Sequence, residues 1–207
     1  MKKIITIGRQ FASGGSTVAR KLSEITGIPF YDKESLVKIS ESHGIARETF
    51  EKADEQVTSS FLYSLAMSGY SGTSAHFGAN VNIITDQVFN IQSTEMKKIA
   101  EAGDCIFIGR CADDILSEEY KVLKIFIYAT MDYRAGVYTN HHPEVEDAAA
   151  RKFIAKMDKK RASYYSFYTG RSWGDPNNYH LNIDSSALGT DETASIIATF
   201  ADKFFKD

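Results

Sequence analysis

The chain has too little cysteine to build a disulfide framework: only Cys105 and Cys111 occur in 207 residues. No other Cys or His stands at zinc-like spacing around them, so both are expected as small buried hydrophobes in a reducing compartment. Long hydrophobic runs are missing too. The run behind the two N-terminal lysines, Ile4 to Ile7, spans four residues, against the 7–15 of a signal h-region and the ~20 of a membrane span. An excess of positive charge is also absent, with 24 Lys and Arg against 27 Asp and Glu. Nothing global therefore points to nucleic acid or to a membrane surface. These absences predict a soluble cytoplasmic protein with neither kind of partner. Repeats and long linkers are lacking as well, and the length suits a single domain over residues 1–207.

What is present is an alternation of strand and helix patterns. Ile4 to Ile7, Cys105 to Ile108 and Leu123 to Tyr128 read as buried strands, with Ile28 to Tyr31 and His180 to Ile183 as weaker ones. Helical patterns fill Ser16 to Thr26, Lys33 to Ser42, Asp86 to Ala102, Glu144 to Tyr168 and Thr190 to Phe205. Such an order predicts βαβ units and an α/β fold, a three-layer αβα sandwich on a parallel sheet. Two regions break the pattern: the Gly/Ser/Asn-rich Ser68 to Asn82, expected as a mobile loop, and Tyr133 to Asn178. Both are expected to be excursions able to close over a ligand.

The first strand runs straight into Gly8-Arg9-Gln10-Phe11-Ala12-Ser13-Gly14-Gly15-Ser16-Thr17 and then a helix. Strand, glycine-rich turn and helix N-terminus together make an anion cradle of free backbone N–H groups. The phosphate-loop pattern G-x-x-x-x-G-K-[ST] is nevertheless broken twice. Gly15 stands in the lysine slot, and Arg9 stands where the first glycine belongs, with Gly8 one residue early. Either the turn merely reverses the chain, or Ser13, Gly14, Gly15, Ser16 and Thr17 hold phosphates and Arg9 supplies the missing charge. Ser16 is both a candidate Mg²⁺ ligand and a candidate helix cap.

Two further clusters carry charge. Gly109-Arg110 follows a buried strand, and a carboxyl strand end faces the ligand crevice of such sheets. Asp158 and Arg161 share a helical face, either as a solvated ion pair or as site residues. Trp173 with Tyr164, Tyr165, Tyr168 and Tyr179 forms either a base-stacking surface or an aromatic mini-core. Adjacent His141 and His142 point different ways on a helix and read as exposed rather than as a metal pair.

Taken together, Ile5 to Gly15, Gly27 to Asp32, Ile106 to Asp113, Asp158 to Tyr165 and Tyr168 to Tyr179 resemble the cytidylate-kinase-like family, a divergent branch of the P-loop nucleoside monophosphate kinases. The resemblance implies a P-loop kinase core with a nucleotide-binding insertion at about 33–82 and a lid at about 133–157. It implies ATP and Mg²⁺ as cofactors, Ser16 as metal ligand, and an acceptor site at Lys38, Arg110, Asp158 and Arg161. It also implies catalytic roles for Arg110, Arg134 and Arg161, to which the loop reading adds Arg9 as the surrogate cation. Departures from the family pattern are equally visible. The lid reads Tyr138-Thr139-Asn140-His141-His142 where further arginines belong, and Ile108 replaces the acid expected before Gly109. Arg9, Arg151 and Arg171 are the candidates to make good the lost charge.

The expected function is transfer of the ATP γ-phosphoryl group to CMP, dCMP or a related small acceptor. The alternatives are a catalytically inactive nucleotide- or anion-binding module and a kinase of a non-nucleotide small molecule.

Overall fold

Successive residues of a strand face opposite ways, and in β1 (Ile4–Arg9) both ways are apolar. In the computed structural model, which describes residues 1–42, 47–48 and 79–206, Ile5 and Ile7 pack on one side of the sheet with Ile106, Ile108, Leu123, Ile125 and Ile127. Ile4 packs on the other side with Cys105, Phe107 and Val122. Two apolar faces demand two covering layers. Val18, Ala19 and Leu22 of α1 (Gly15–Thr26) help cover the first. Leu36 of α2 (Lys33–Ser42) and Met96 and Ala100 of α3 (Ala79–Ala102) help cover the second. The result is the expected α/β sandwich.

The sheet has five parallel strands in the order β2-β3-β1-β4-β5, with β2 (Phe30–Tyr31), β3 (Cys105–Ile108), β4 (Val122–Tyr128) and β5 (Leu181–Asp184). Pairing aligns Ile7 with Ile108 on one side and with Ile125 on the other. The chain leaves β1 toward one edge and later returns to build the other edge. The switch point therefore lies at the carboxyl ends of β1, β3 and β4, where such sheets bind ligands.

Three boundaries differ from expectation. α3 begins at Ala79, so Ala79 to Asn82 are helical although their Asn-rich composition reads as loop; residues 68–78 of that expected loop lie outside the described residues. The excursion after Tyr133 is largely helical. After the short α4 (Ala112–Ile115) and β4, it contains α5 (Met131–His141) and α6 (Asp147–Thr169). Charged and aromatic residues interrupt the apolar period of α5, and the Thr130 hydroxyl accepting from Tyr133 N–H marks its start. The last helix, α7 (Ser185–Phe204), starts before Thr190 and contains a break at Gly189 (φ 75°, ψ 169°). Cys105 and Cys111 are buried free thiols, and burial pushes the Cys105 thiol up to about 12. Among the described residues no helix is long and apolar enough to cross a membrane.

Candidate functional site

A cavity of about 380 Å³ opens at the carboxyl ends of β1 and β3. Gly8 and Arg9 enter it from β1, and Gly109, Arg110, Cys111 and Asp113 from the turn after β3. Lys33 reaches it from the start of α2, and Met157, Lys160, Arg161, Tyr164 and Tyr165 from α6, with Trp173 and Tyr179 beyond. Five cationic side chains thus face one carboxylate, Asp113, in its lining. Gly8 has a local reason of its own: a Cβ there would lie 2.9 Å from the Phe126 ring and 3.3 Å from the Tyr179 hydroxyl.

Beside the cavity, the turn from β1 to α1 is tied down by the backbone. Gln10 N–H donates to Ile127 O at 3.0 Å, and Ala129 N–H donates to the Gln10 side-chain oxygen at 3.1 Å. Ser13 is fully buried, with its hydroxyl on Gln10 O and its carbonyl accepting from the Ser185 hydroxyl at 2.6 Å. Ser13 is therefore engaged within the protein, and the structure does not offer its side chain to a ligand. Gly14, in the left-handed region (φ 75°), caps α1 without a side-chain hydrogen bond. The Ser16 hydroxyl is not the cap, because the helix begins one residue before it. Ser16 and Thr17 are exposed on the first turn instead.

The cations of the cavity repel one another. Burial, and then the charges of Arg161 and Arg110, push the Arg9 guanidinium well below the usual arginine range, with Asp32 pulling the other way. Burial brings Arg161 down to about 10, opposed by Asp158 and reinforced by Arg110 and Arg134. Arg161 Nη1 donates to Arg9 O at 2.8 Å, while Arg9 Nε is buried without a hydrogen-bond partner. Arg110 lies over the Tyr164 ring, 5.0 Å from its centroid. Crowded, partly desolvated arginines are the electrostatic signature of an anion site, since a phosphate relieves every repulsion at once.

The structure brings Arg9, Arg110 and Arg161 together, but not all the other expected residues. Asp158 makes no i,i+3 ion pair with Arg161. One Asp158 oxygen accepts from Phe11 N–H at 2.7 Å, the other pairs with Arg134, and Arg134 also donates to Phe11 O at 3.4 Å. Neither side chain lines the cavity; together they clamp the phosphate-loop-like turn to α5 and α6. Lys38 is exposed on α2 outside the lining, and Lys33 occupies the cavity instead. Arg151 bonds Asp132 (2.7 Å) and Asp147 (2.6 Å), and Arg171 lies 3.4 Å from Asp114. Both are engaged by acids away from the lining. His142 faces Glu144 at 3.6 Å, and no group of three metal-ligating side chains occurs among the described residues.

The aromatic residues do not divide cleanly between the two expected roles. Tyr165 and Tyr179 are buried and also belong to the cavity lining, and Tyr168 stacks on Phe89 at 3.8 Å, as in a mini-core. Tyr164 and Trp173 line the cavity. The Tyr165 hydroxyl donates to Asp113 at 2.7 Å and hydrogen-bonds Tyr179. Burial raises the Asp113 carboxyl above the usual range, with the Tyr165 bond opposing. Sequence reasoning missed Asp113 and Lys33 as cavity residues; the Asp113 position inside the matched segment was the available signal. Backbone strain gathers here too: Ala12, Arg110 and Cys111 all have φ between 56° and 60°, a conformation costing side-chain-bearing residues about 1–2 kcal/mol each.

Mg²⁺ usually takes one or two protein oxygens and fills its shell with phosphate and water. Ser16, exposed at the helix N-terminus, with no acidic cage among the described residues, fits that donor set.

Comparison with known proteins agrees with this geometry. A cytidylate kinase of Methanopyrus kandleri is 26% identical over 209 residues, spanning 96% of this chain and 93% of that protein. A crystal structure described as an uncharacterized protein from Eubacterium ventriosum superposes with a TM-score of 0.73 at 26% identity, covering 98% of this chain and 99% of the other. Shikimate kinase from Bacteroides thetaiotaomicron shares the fold alone, with a TM-score of 0.53 at 12% identity over 98% of this chain and 99% of its own. The sequence profile of the cytidylate kinase-like family matches residues 4–187, and the chain belongs to that family.

Proposed function

We propose that this protein is an ATP-dependent kinase of CMP, dCMP or a closely related phosphate-bearing acceptor. The observation that carries the reading is the cavity at the β1 and β3 ends, with five cations against one acid, directly beside an exposed helix N-terminus. The backbone of Gly14 to Thr17 holds the β- and γ-phosphates of ATP. The Ser16 hydroxyl would hold Mg²⁺, which would supply neutralisation of phosphate charge there. Arg110 and Arg161 hold the acceptor phosphate, with Arg9 between the two groups of phosphates and Tyr164 and Trp173 available to the base. An acceptor oxygen attacks the γ-phosphorus, a new P–O bond forms, and the bond to the β-phosphate oxygen breaks, its electrons leaving with ADP. The chain's own part is positioning and charge neutralisation, which carry nearly all catalysis in this chemistry. Asp158 and Arg134 contribute by fixing Phe11 in the turn and the lid against it.

The test is coupled ADP release with MgATP across a panel of nucleoside monophosphates, shikimate and sugars. Turnover with CMP or dCMP above the others is expected. One observation favours a second reading: Ile108, 1% exposed, replaces the acid that would share in holding Mg²⁺. Calorimetric binding of ADP and CMP without turnover would establish an inactive binding module instead.

A further inference from the structure

The two breaks in the phosphate-loop pattern lie six residues apart in sequence and touch in space. A Cβ on Gly15 would lie 2.6 Å from Arg9 Cβ and 2.9 Å from Arg9 Cγ. Real Cβ atoms do not approach so closely, so the stem of Arg9 fills the place where a lysine at 15 would begin. The obstruction lies at the root of the arginine, next to backbone, and rotation of a flexible tip cannot relieve it. Further out, Arg9 Nη1 abuts Gly109, where any Cβ would collide with it. Thus one arginine runs from the first turn of α1 to the end of β3, passing between two glycines that leave room for it. Its Nε is buried and unpartnered, and Arg161 and Arg110 crowd the same cavity.

We infer that Arg9 and Gly15 are a reciprocal exchange, in which the loop's cation enters from the end of β1 instead of from α1 and serves the donor and acceptor phosphates together. A lysine on the helix presents a point charge to the donor alone. The guanidinium fork at the Gly15–Gly109 gap has donors for both phosphate groups. The lysine is therefore displaced rather than simply lost, and residues 9 and 15 depend on each other. This inference rests on the kinase reading for its substrates, but not for its steric half.

Four proteins test it: wild type, Arg9→Gly, Gly15→Lys and the double Arg9→Gly/Gly15→Lys. Unliganded melting, ADP calorimetry and steady-state kinetics with MgATP and CMP are the readouts. Arg9→Gly is expected to lose at least 100-fold in kcat/KM and to raise KM for both substrates. Gly15→Lys is expected to melt below wild type and gain no activity. The double variant should melt above Gly15→Lys and bind ADP at least ten-fold more tightly than Arg9→Gly, recovering ATP KM but not CMP KM. Arg9→Lys, which keeps the stem and the charge, should fold like wild type and lose affinity for one substrate more than the other. The inference is overturned if Gly15→Lys is as stable and active as wild type. It is equally overturned if the double variant binds ADP no better than Arg9→Gly, or if loss of Arg9 moves only the ATP KM. Should wild type bind ADP and CMP without turnover, the kinase reading falls while melting and ADP binding still judge the exchange.

Discussion

Arg134 and Asp158 have the chemistry of phosphate and acceptor ligands, yet in this fold each is answered by the other and by Phe11. Arg134 is 5% exposed, and stripping one partner from a buried pair is costlier than replacing both with apolar groups. Arg134→Ala is expected to cost about 3 kcal/mol in urea unfolding, whereas Arg134→Met/Asp158→Leu should cost less than the single change. A double substitution at least as harmful as Arg134→Ala would show that the pair's charge itself has a task. Arg110 differs, because it lines the cavity. Arg110→Ala should lower kcat/KM for CMP by roughly 100-fold, the ~2–3 kcal/mol of a hydrogen bond to a charged group. The KM for ATP should stay within about two-fold under the same assignment, and steady-state kinetics with each substrate varied in turn decides it. The two lysines of α2 make the same point by geometry. Lys33 lines the cavity, and Lys38, five residues on, is turned about 140° around a helix of 3.6 residues per turn.

Among the elements, α6 does most to assemble the site. Asp158, Arg161 and Tyr165 recur at helical spacing on one face, and together they reach two strand-end segments: Phe11 N–H and Arg9 O at the end of β1, and Asp113 after β3. A helix whose charges read either as a solvated ion pair or as site residues is thus bolted across the top of the sheet. Burial of Asp113 makes this attachment pH-dependent, and the Tyr165 bond opposes the effect. Asp113 is raised in the folded state, first by burial, so the folded protein holds that proton more tightly than the unfolded chain. The stabilisation is complete below the unfolded carboxyl value of about 4 and is lost as pH rises through the higher folded value. Urea midpoints from acid to neutral pH should therefore fall in wild type over that window and flatten in Asp113→Asn, which retains an acceptor oxygen for Tyr165. Tyr165→Phe removes the opposing bond and should steepen the fall, costing about 1–3 kcal/mol at neutral pH. Identical pH profiles for wild type and Asp113→Asn would rule this linkage out. At the far side of the sheet, Lys124 N–H donates to His180 Nδ1 at 3.0 Å, and burial with the Lys124 charge holds that imidazole below its usual range. Protonation at Nδ1 forfeits the bond, so His180 contributes stability that is present above about pH 6.5 and lost as pH falls through the lower folded value.

At the scale of the molecule, the cavity is lined by charges that repel one another, and under the proposed function an anionic ligand should be felt by the whole fold. ADP with Mg²⁺, or CMP, at 100 times its dissociation constant should add about 2.7 kcal/mol and raise the melting temperature by several degrees. Melting unchanged by ADP, CMP and inorganic phosphate would mean that the cations serve some other end. The layers themselves were readable beforehand. Strand residues that are apolar on both faces, as at Ile4 and Ile5, require helices on both sides, and parallel pairing follows from helices between strands. The glycine-rich turn and Gly109-Arg110 marked the rim of the crevice for the same local reason.

What the sequence alone determined is everything governed by near neighbours along the chain: the strand period, the helix period, the turn at Gly14, and the family written in its motifs. What only the tertiary structure decided is which charges are left to meet a ligand. Arg161 reaches Arg9 across 152 positions, and Asp158 reaches Phe11 across 147. Gly15 is bare because Arg9 already fills its space. Such pairings depend on how α6 and α1 are laid against the end of β1, and no local periodicity encodes them.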